Sequence, residues 1–223
     1  MAIQGKQTTI TNLYNYGVIS IQLSDSARVA LPGVTPVQTA PPQKAPADQP
    51  RAEPQILAAP SDESPEAHFL TRFSLNAGHL AKLEEWMGRS HFMTLYTIES
   101  DAFNAKALWE RVHGVSDIMV VVETATNNVF GAYYGQLPSQ QNQWLTADPA
   151  HFVFTLKNPI YNVPTQLFPR ESNQTLLRIP AEAERRVVIE TRAFVICNDA
   201  TCKTDVHFPT AYLDTTNRGD RLF

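Results

Sequence analysis

Two cysteines, Cys197 and Cys202, are separated by Asn198-Asp199-Ala200-Thr201, with His207 five positions further on. Thiols at that spacing offer a short list of chemistries. A zinc site normally uses pairs two to four residues apart and a second pair to complete four ligands; no second pair exists in the chain. A disulfide across a hairpin-like turn needs α-carbons within about 7 Å. In a reducing cytosol the plain reading is two free thiols. A redox-responsive pair formed by Cys197 and Cys202 is the reading with functional content. A Cys–His nucleophile built with His113, His151 or His207 can be written down, but no orienting third group or oxyanion loop accompanies it. Among carboxylates, Glu99 and Asp101 lie two apart at the end of an apolar stretch, and Glu84-Glu85 falls on the polar side of a helical pattern. The former spacing can present a carboxylate pair; the latter reads as a solvated face. The 9 glycines never cluster, so no phosphate-cradling loop is present. No catalytic residue, metal ligand or cofactor is assigned.

The elements that must hold these residues follow from periodicity. Asn76 caps a helix over 77–89, in which Leu80, Leu83 and Met87 share a face and Gly88 stands near the end. A strand spans 91–98. A second helix runs from Asn104 to His113 and is closed by Gly114. Residues 117–123 contain Ile118, Met119, Val120, Val121 and Val122, apolar on both faces, as in a central strand covered on two sides. Thr126-Asn127-Asn128 turns the chain back into a strand over 129–134. Further strands are expected over 151–156, 175–179, 186–191 and 192–197, with Phe152 and Phe154 filling the space between two sheets. Two early helices and then many strands describe an α+β domain with an antiparallel β-sandwich core flanked by helices.

The chain has 223 residues, 18 Lys+Arg against 22 Asp+Glu, a net charge of −4 and 16 prolines. The acidic balance argues against a nucleic-acid-binding module, and no apolar run reaches the length of a membrane span. Nine of the prolines fall between Pro32 and Pro65, in a stretch of Ala, Gln, Asp, Glu and Ser that has no aromatic residue. That composition predicts a disordered Pro/Ala-rich linker over 25–67; a ligand for an SH3- or WW-type groove is the alternative. Ahead of it, residues 1–24 hold a strand-like island from Gln7 to Leu23. An isolated strand pair is marginal in water, so the island needs a surface, on the folded domain or on a second copy; a tethered docking peptide is the sharper reading. Only Lys6 is basic near the start, which does not suit a signal peptide. The folded unit is placed at 68–223.

Five motifs in order resemble the TLDc domain of the oxidation-resistance proteins. They are Leu95 to Phe103, with Asp101 and Phe103 at the positions the family favours and Ala102 in place of its usual Gly; the helix that carries Trp109; Asp117 to Glu123 with Asn127 to Tyr133, which includes Phe130 and Gly131; Asp148 to Leu156, which includes Phe152 and Phe154; and the tail His207 to Thr216, which includes Phe208, Pro209, Tyr212 and Asp214. The ordering is closest to amoebal members of the family. The family's Gly-rich "F-G-x-G" entry is replaced by residues 181–186. The resemblance implies a non-enzymatic protein-interaction or regulatory module, cytoplasmic, linked to the oxidative-stress response or to subunits of the vacuolar proton pump. A thiol-dependent antioxidant enzyme using Cys197 and Cys202, and a self-assembling module joined through the N-terminal island, are the alternatives.

Overall fold

The computed structural model describes residues 16–22, 65–172, 174–181 and 186–223. The linker expected over 25–67 and the replaced loop at 181–186 lie largely outside these residues, as does the Gln7–Asn15 part of the N-terminal island.

Two sheets stack face to face. The first has the order β2-β1-β3-β4-β6-β7, formed by β1 (Tyr16–Gln22), β2 (Phe92–Thr97), β3 (Ile118–Glu123), β4 (Val129–Tyr134), β6 (Phe152–Lys157) and β7 (Thr165–Leu167). The second has the order β11-β10-β9-β8-β5, formed by β5 (Leu145–Thr146), β8 (Thr175–Arg178), β9 (Val187–Thr191), β10 (Phe194–Cys197) and β11 (Cys202–Thr204). All pairings are antiparallel except those of β1, which runs parallel to both β2 and β3. The α+β sandwich expected from the sequence is therefore present, with the N-terminal strand inside one sheet and not beside it.

Local chemistry sets the helices. In α2 (Ala77–Met87) the Asn76 side chain accepts from the His79 amide at 3.1 Å, and His79 Nδ1 accepts in return from the Asn76 amide at 3.1 Å, so two otherwise orphaned donors are satisfied at once. Gly88 ends the helix at φ 66°, a left-handed conformation that costs glycine little. In α3 (Ala105–Val112) Asn104 accepts from Ala107 at 2.9 Å. Helix α1 (Pro65–Arg72) opens three residues ahead of His68, with proline at its first position, where the missing N–H is no loss.

Two apolar layers result. Between the sheets lie Ile19, Ile21, Val120, Phe130, Tyr134, Val153, Ile189, Phe194 and Phe208, among others. Phe130 meets Phe194 edge-on across the sheets with ring centroids 5.3 Å apart. The outer face of the first sheet carries Met119, Val121, Phe152 and Phe154, and α1, the turn after it and α2 cover it with Phe69, Phe73 and Leu83 respectively. This corrects the expectation for Phe152 and Phe154. The strand pleat sends them outward to the helices, where Trp86 packs against both with centroids 6.3 Å apart, and it is Val153 that enters the sandwich. Strand β3 is buried on both sides through Val122, as its unbroken apolar run requires.

Gly131 sits mid-strand where three strands crowd together. A Cβ there would stand 2.0 Å from the Val120 carbonyl oxygen and 2.6 Å from Phe154 Cζ. Only glycine fits such an approach.

Candidate functional site

The motif aspartates are all turned onto the backbone. Asp101 accepts from the Thr97 amide at 3.0 Å and takes Arg111 Nε and Nη2 at 3.1 and 2.9 Å. Those donors hold its carboxyl below the usual range, the Thr97 amide contributing most. Asp148, 4% exposed, accepts from Gly135 at 2.7 Å, Gln136 at 3.4 Å and Ala150 at 3.0 Å, and so ties the end of β4 to the loop before β6. Asp214 accepts from Thr216 and Gly219, each at 2.8 Å, and from the Thr216 hydroxyl at 2.6 Å; burial pushes its carboxyl up, and these donors outweigh that and leave it lowered. The paired carboxylates weighed at Glu99 and Asp101 do not converge: Glu99 pairs with Arg72 at 3.2 Å and Asp101 with Arg111. Glu85 pairs with Lys82 at 2.7 Å on the helix surface.

Around Asp148 the structure assembles a group that the sequence did not single out as a unit. His151 is 1% exposed, and its ring lies stacked on Tyr134 with centroids 4.5 Å apart. Nδ1 is 2.7 Å from the Tyr133 carbonyl, which can only accept, so Nδ1 carries the proton. Nε2 is then the acceptor for the Tyr212 hydroxyl at 2.8 Å. Burial lowers the imidazole to about 4 and overrides the opposite pull of the Tyr133 carbonyl, so the ring is neutral at physiological pH. Burial likewise raises the Tyr134 and Tyr212 phenols far out of the physiological range. Tyr133 donates to Asp117 at 2.7 Å, and Arg89 pairs with the same carboxylate at 3.0 Å.

Above this group opens a cleft of about 650 Å³, lined by Asp148, Pro149, His151, Phe168, Pro169 and Arg170. Phe168 is 50% exposed at its rim, next to Leu213, whose amide donates to the Phe168 carbonyl at 2.9 Å. The loop carrying Asp148 and His151 and the tail carrying Tyr212 thus meet at one place, held by the His151–Tyr212 hydrogen bond and the Pro169–Tyr212 bridge. Both ring nitrogens of His151 are engaged, so the Cys–His pairing considered with His151 has no free nitrogen to use.

The remaining family-motif residues are structural by contact. Phe130 and Phe208 both pack on Phe223, with centroids 5.3 and 4.8 Å away, and Phe103 packs against the same inter-sheet layer. Pro209 lies in the first turn of the short helix α4 (Phe208–Ala211). Cys197 and Cys202 are free thiols at the two ends of the β10–β11 turn, with Cys202 opposite Ile196 and the Cys197 amide donating to Thr201 at 2.9 Å. Burial first, and the neighbouring Cys197 second, push the Cys202 thiol up to about 12. A thiol so placed is a poor nucleophile at neutral pH. Among the described residues no group of three or more His, Cys, Asp or Glu side chains is arranged to hold a metal ion, and no helix is long and apolar enough to cross a membrane.

The fold defines a two-sheet α+β sandwich with a helix-covered face, whose motif carboxylates serve turns. In a comparison with known families, residues 75–177 match the TLDc domain. The match covers α2 through most of β8, including Asp101, Gly131, Asp148 and His151; β1, α1 and the second half of the second sheet lie outside it. No curated protein and no solved structure matches the chain.

Proposed function

We propose that the chain is a TLDc-type regulatory module that acts through protein contacts. The observation that carries this reading is the TLDc match over residues 75–177. The fate of the motif side chains supports it: Asp101, Asp148 and Asp214 are spent on backbone amides, and His151 is a neutral, doubly bonded core group. Within this reading we place the protein in the cytoplasm, with subunits of the vacuolar proton pump as the partner class and the oxidative-stress response as the setting. The cleft between the Asp148 loop and the Tyr212 tail, with Phe168 at its rim, is the surface proposed to make the contact.

The test is direct binding of the full chain to purified vacuolar proton pump, measured by co-sedimentation and by biolayer interferometry. Saturable binding that is weakened by Phe168→Ser, with the melting temperature unchanged, supports the reading. Absence of binding removes the pump as partner. The thiol-enzyme reading is separated by peroxide consumption in the parent and in Cys197→Ser/Cys202→Ser: consumption in the parent that disappears in the double variant would favour it.

A further inference from the structure

The first sheet is completed by a strand that is remote in the chain. Strands β2 and β3 are not paired with one another; β1 lies between them, with Gly17 opposite both Met93 and Ile118 and Ile19 opposite both Tyr96 and Val120. Both flanking strands belong to the segment matched by the TLDc domain, and β1 does not. The matched segment therefore carries a slot one strand wide, open to backbone donors and acceptors on both sides. Ile19 and Ile21 are 2% and 0% exposed and enter the layer between the sheets, so the occupant supplies core as well as hydrogen bonds.

Nothing short ties β1 to this slot. Its pairing with both neighbours is parallel, which no tight turn can connect. From Gln22 to the start of α1 at Pro65 the sequence has 42 intervening residues. A tether of that length spans up to about 140 Å when extended, and its closure entropy rises only slowly with length. The strand YGVISIQ has no charge to repel an identical chain. Every copy carries one slot and one strand that fits it, and a second copy's strand makes the same contacts as the chain's own.

We propose that the slot between β2 and β3 accepts the β1 strand of a second copy of this chain, forming a strand-exchanged dimer in the register seen within one chain. The intramolecular strand competes at an effective concentration on the order of millimolar. The exchanged form is thus favoured where copies are concentrated, and it trades no contact for another.

The test uses the full chain. Isotopically labelled and unlabelled preparations are incubated together at rising concentration and examined by native mass spectrometry. A mixed dimer of intermediate mass, growing up to about 1 mM total chain, is the expected result. In Ile19→Asp/Ile21→Asp two carboxylates meet an apolar layer. That variant should lose the mixed dimer and melt about 15 °C or more below the parent. A synthetic peptide of residues 14–24 should restore its melting temperature, and the same peptide carrying both aspartates should not. A parent that stays monomeric throughout, a mixed dimer that survives in the double variant, or a double variant that the natural peptide does not restore would each overturn the proposal. None of these outcomes depends on the pump reading, which is tested with monomeric chain at low concentration.

Discussion

Burial of His151 makes stability pH-dependent in a window where few other groups act. The imidazole has an ordinary value of 6.5 and is lowered to about 4 in the folded protein. The unfolded chain therefore binds the proton more readily than the native one. The contribution of the neutral ring is fully present above about pH 6.5 and is lost as pH falls toward 4; below that both states are protonated and the loss levels off. A gap of that size corresponds to about 3 kcal/mol. The geometry explains the direction. A protonated ring would put a second donor against the Tyr212 hydroxyl, which would have to swing its own proton away inside a site closed by the Tyr134 ring and the Asp148 loop. Urea unfolding followed by tryptophan fluorescence from pH 7 to pH 4 measures this. With a slope near 2 kcal/mol per M, the midpoint should fall by about 1.5 M. His79, also lowered by burial and by Lys157, acts in the same direction, so the comparison must be with His151→Gln, which keeps His79. The lowered carboxyls of Asp101, Asp199 and Asp214 begin to lose their contributions about one pH unit above the ordinary carboxylate value of 3.8 and lose most of them below it; that loss is shared by parent and variant and drops out of the comparison. The variant should be less stable at pH 7 and markedly flatter between pH 6.5 and 4. Parallel curves for parent and variant would refute the reasoning.

Three further outcomes are expected. Gly131→Ala forces a methyl against the Val120 carbonyl, a backbone atom of a central strand, and should cost about 3 kcal/mol or more, seen as a melting temperature lower by roughly 6–12 °C; a parent-like melt would show that the strands separate freely there. Asp148→Ala strands the Gly135 and Ala150 amides and should cost about 2–3 kcal/mol in urea titration, whereas Asp148→Asn, which keeps one acceptor, should lose visibly less; equal losses would mean the carboxylate acts otherwise. In thiol labelling at pH 7, Cys202 should react on the order of 1000-fold more slowly than an ordinary thiol, since its half-buried thiol is pushed up to about 12 from 9.0; prompt labelling of the folded protein at Cys202 would contradict that upward shift.

Much of the scaffold is legible locally because short-range chemistry fixes it. Asn76 and Asn104 mark helix starts, Gly88 marks an end, and the turn at Thr126-Asn127-Asn128 lies between two apolar runs that pair in full register. The shortest strands carried little signal: β5 and β7 have two and three residues, and their pairing is set by neighbours and not by their own pattern. The sequence puts Phe152 and Phe154 on the wrong side of their sheet, because alternation tells which residues share a face but not which face meets the second sheet. At the candidate site the residues were in view singly, as motif positions or as one of several histidines. Their union was not, since His151 and Tyr212 are 61 residues apart.

The sequence by itself determined the class of domain, the motif order and the need of the N-terminal island for a surface, because composition, capping and apolar periodicity act over a few residues. Tertiary structure decided the rest: that Tyr16–Gln22 of the island is a parallel strand between β2 and β3, that the motif aspartates hold turns, and that His151 is kept neutral beneath a cleft. Each of these depends on which distant segments meet and on how fully they exclude water, and no local pattern encodes either.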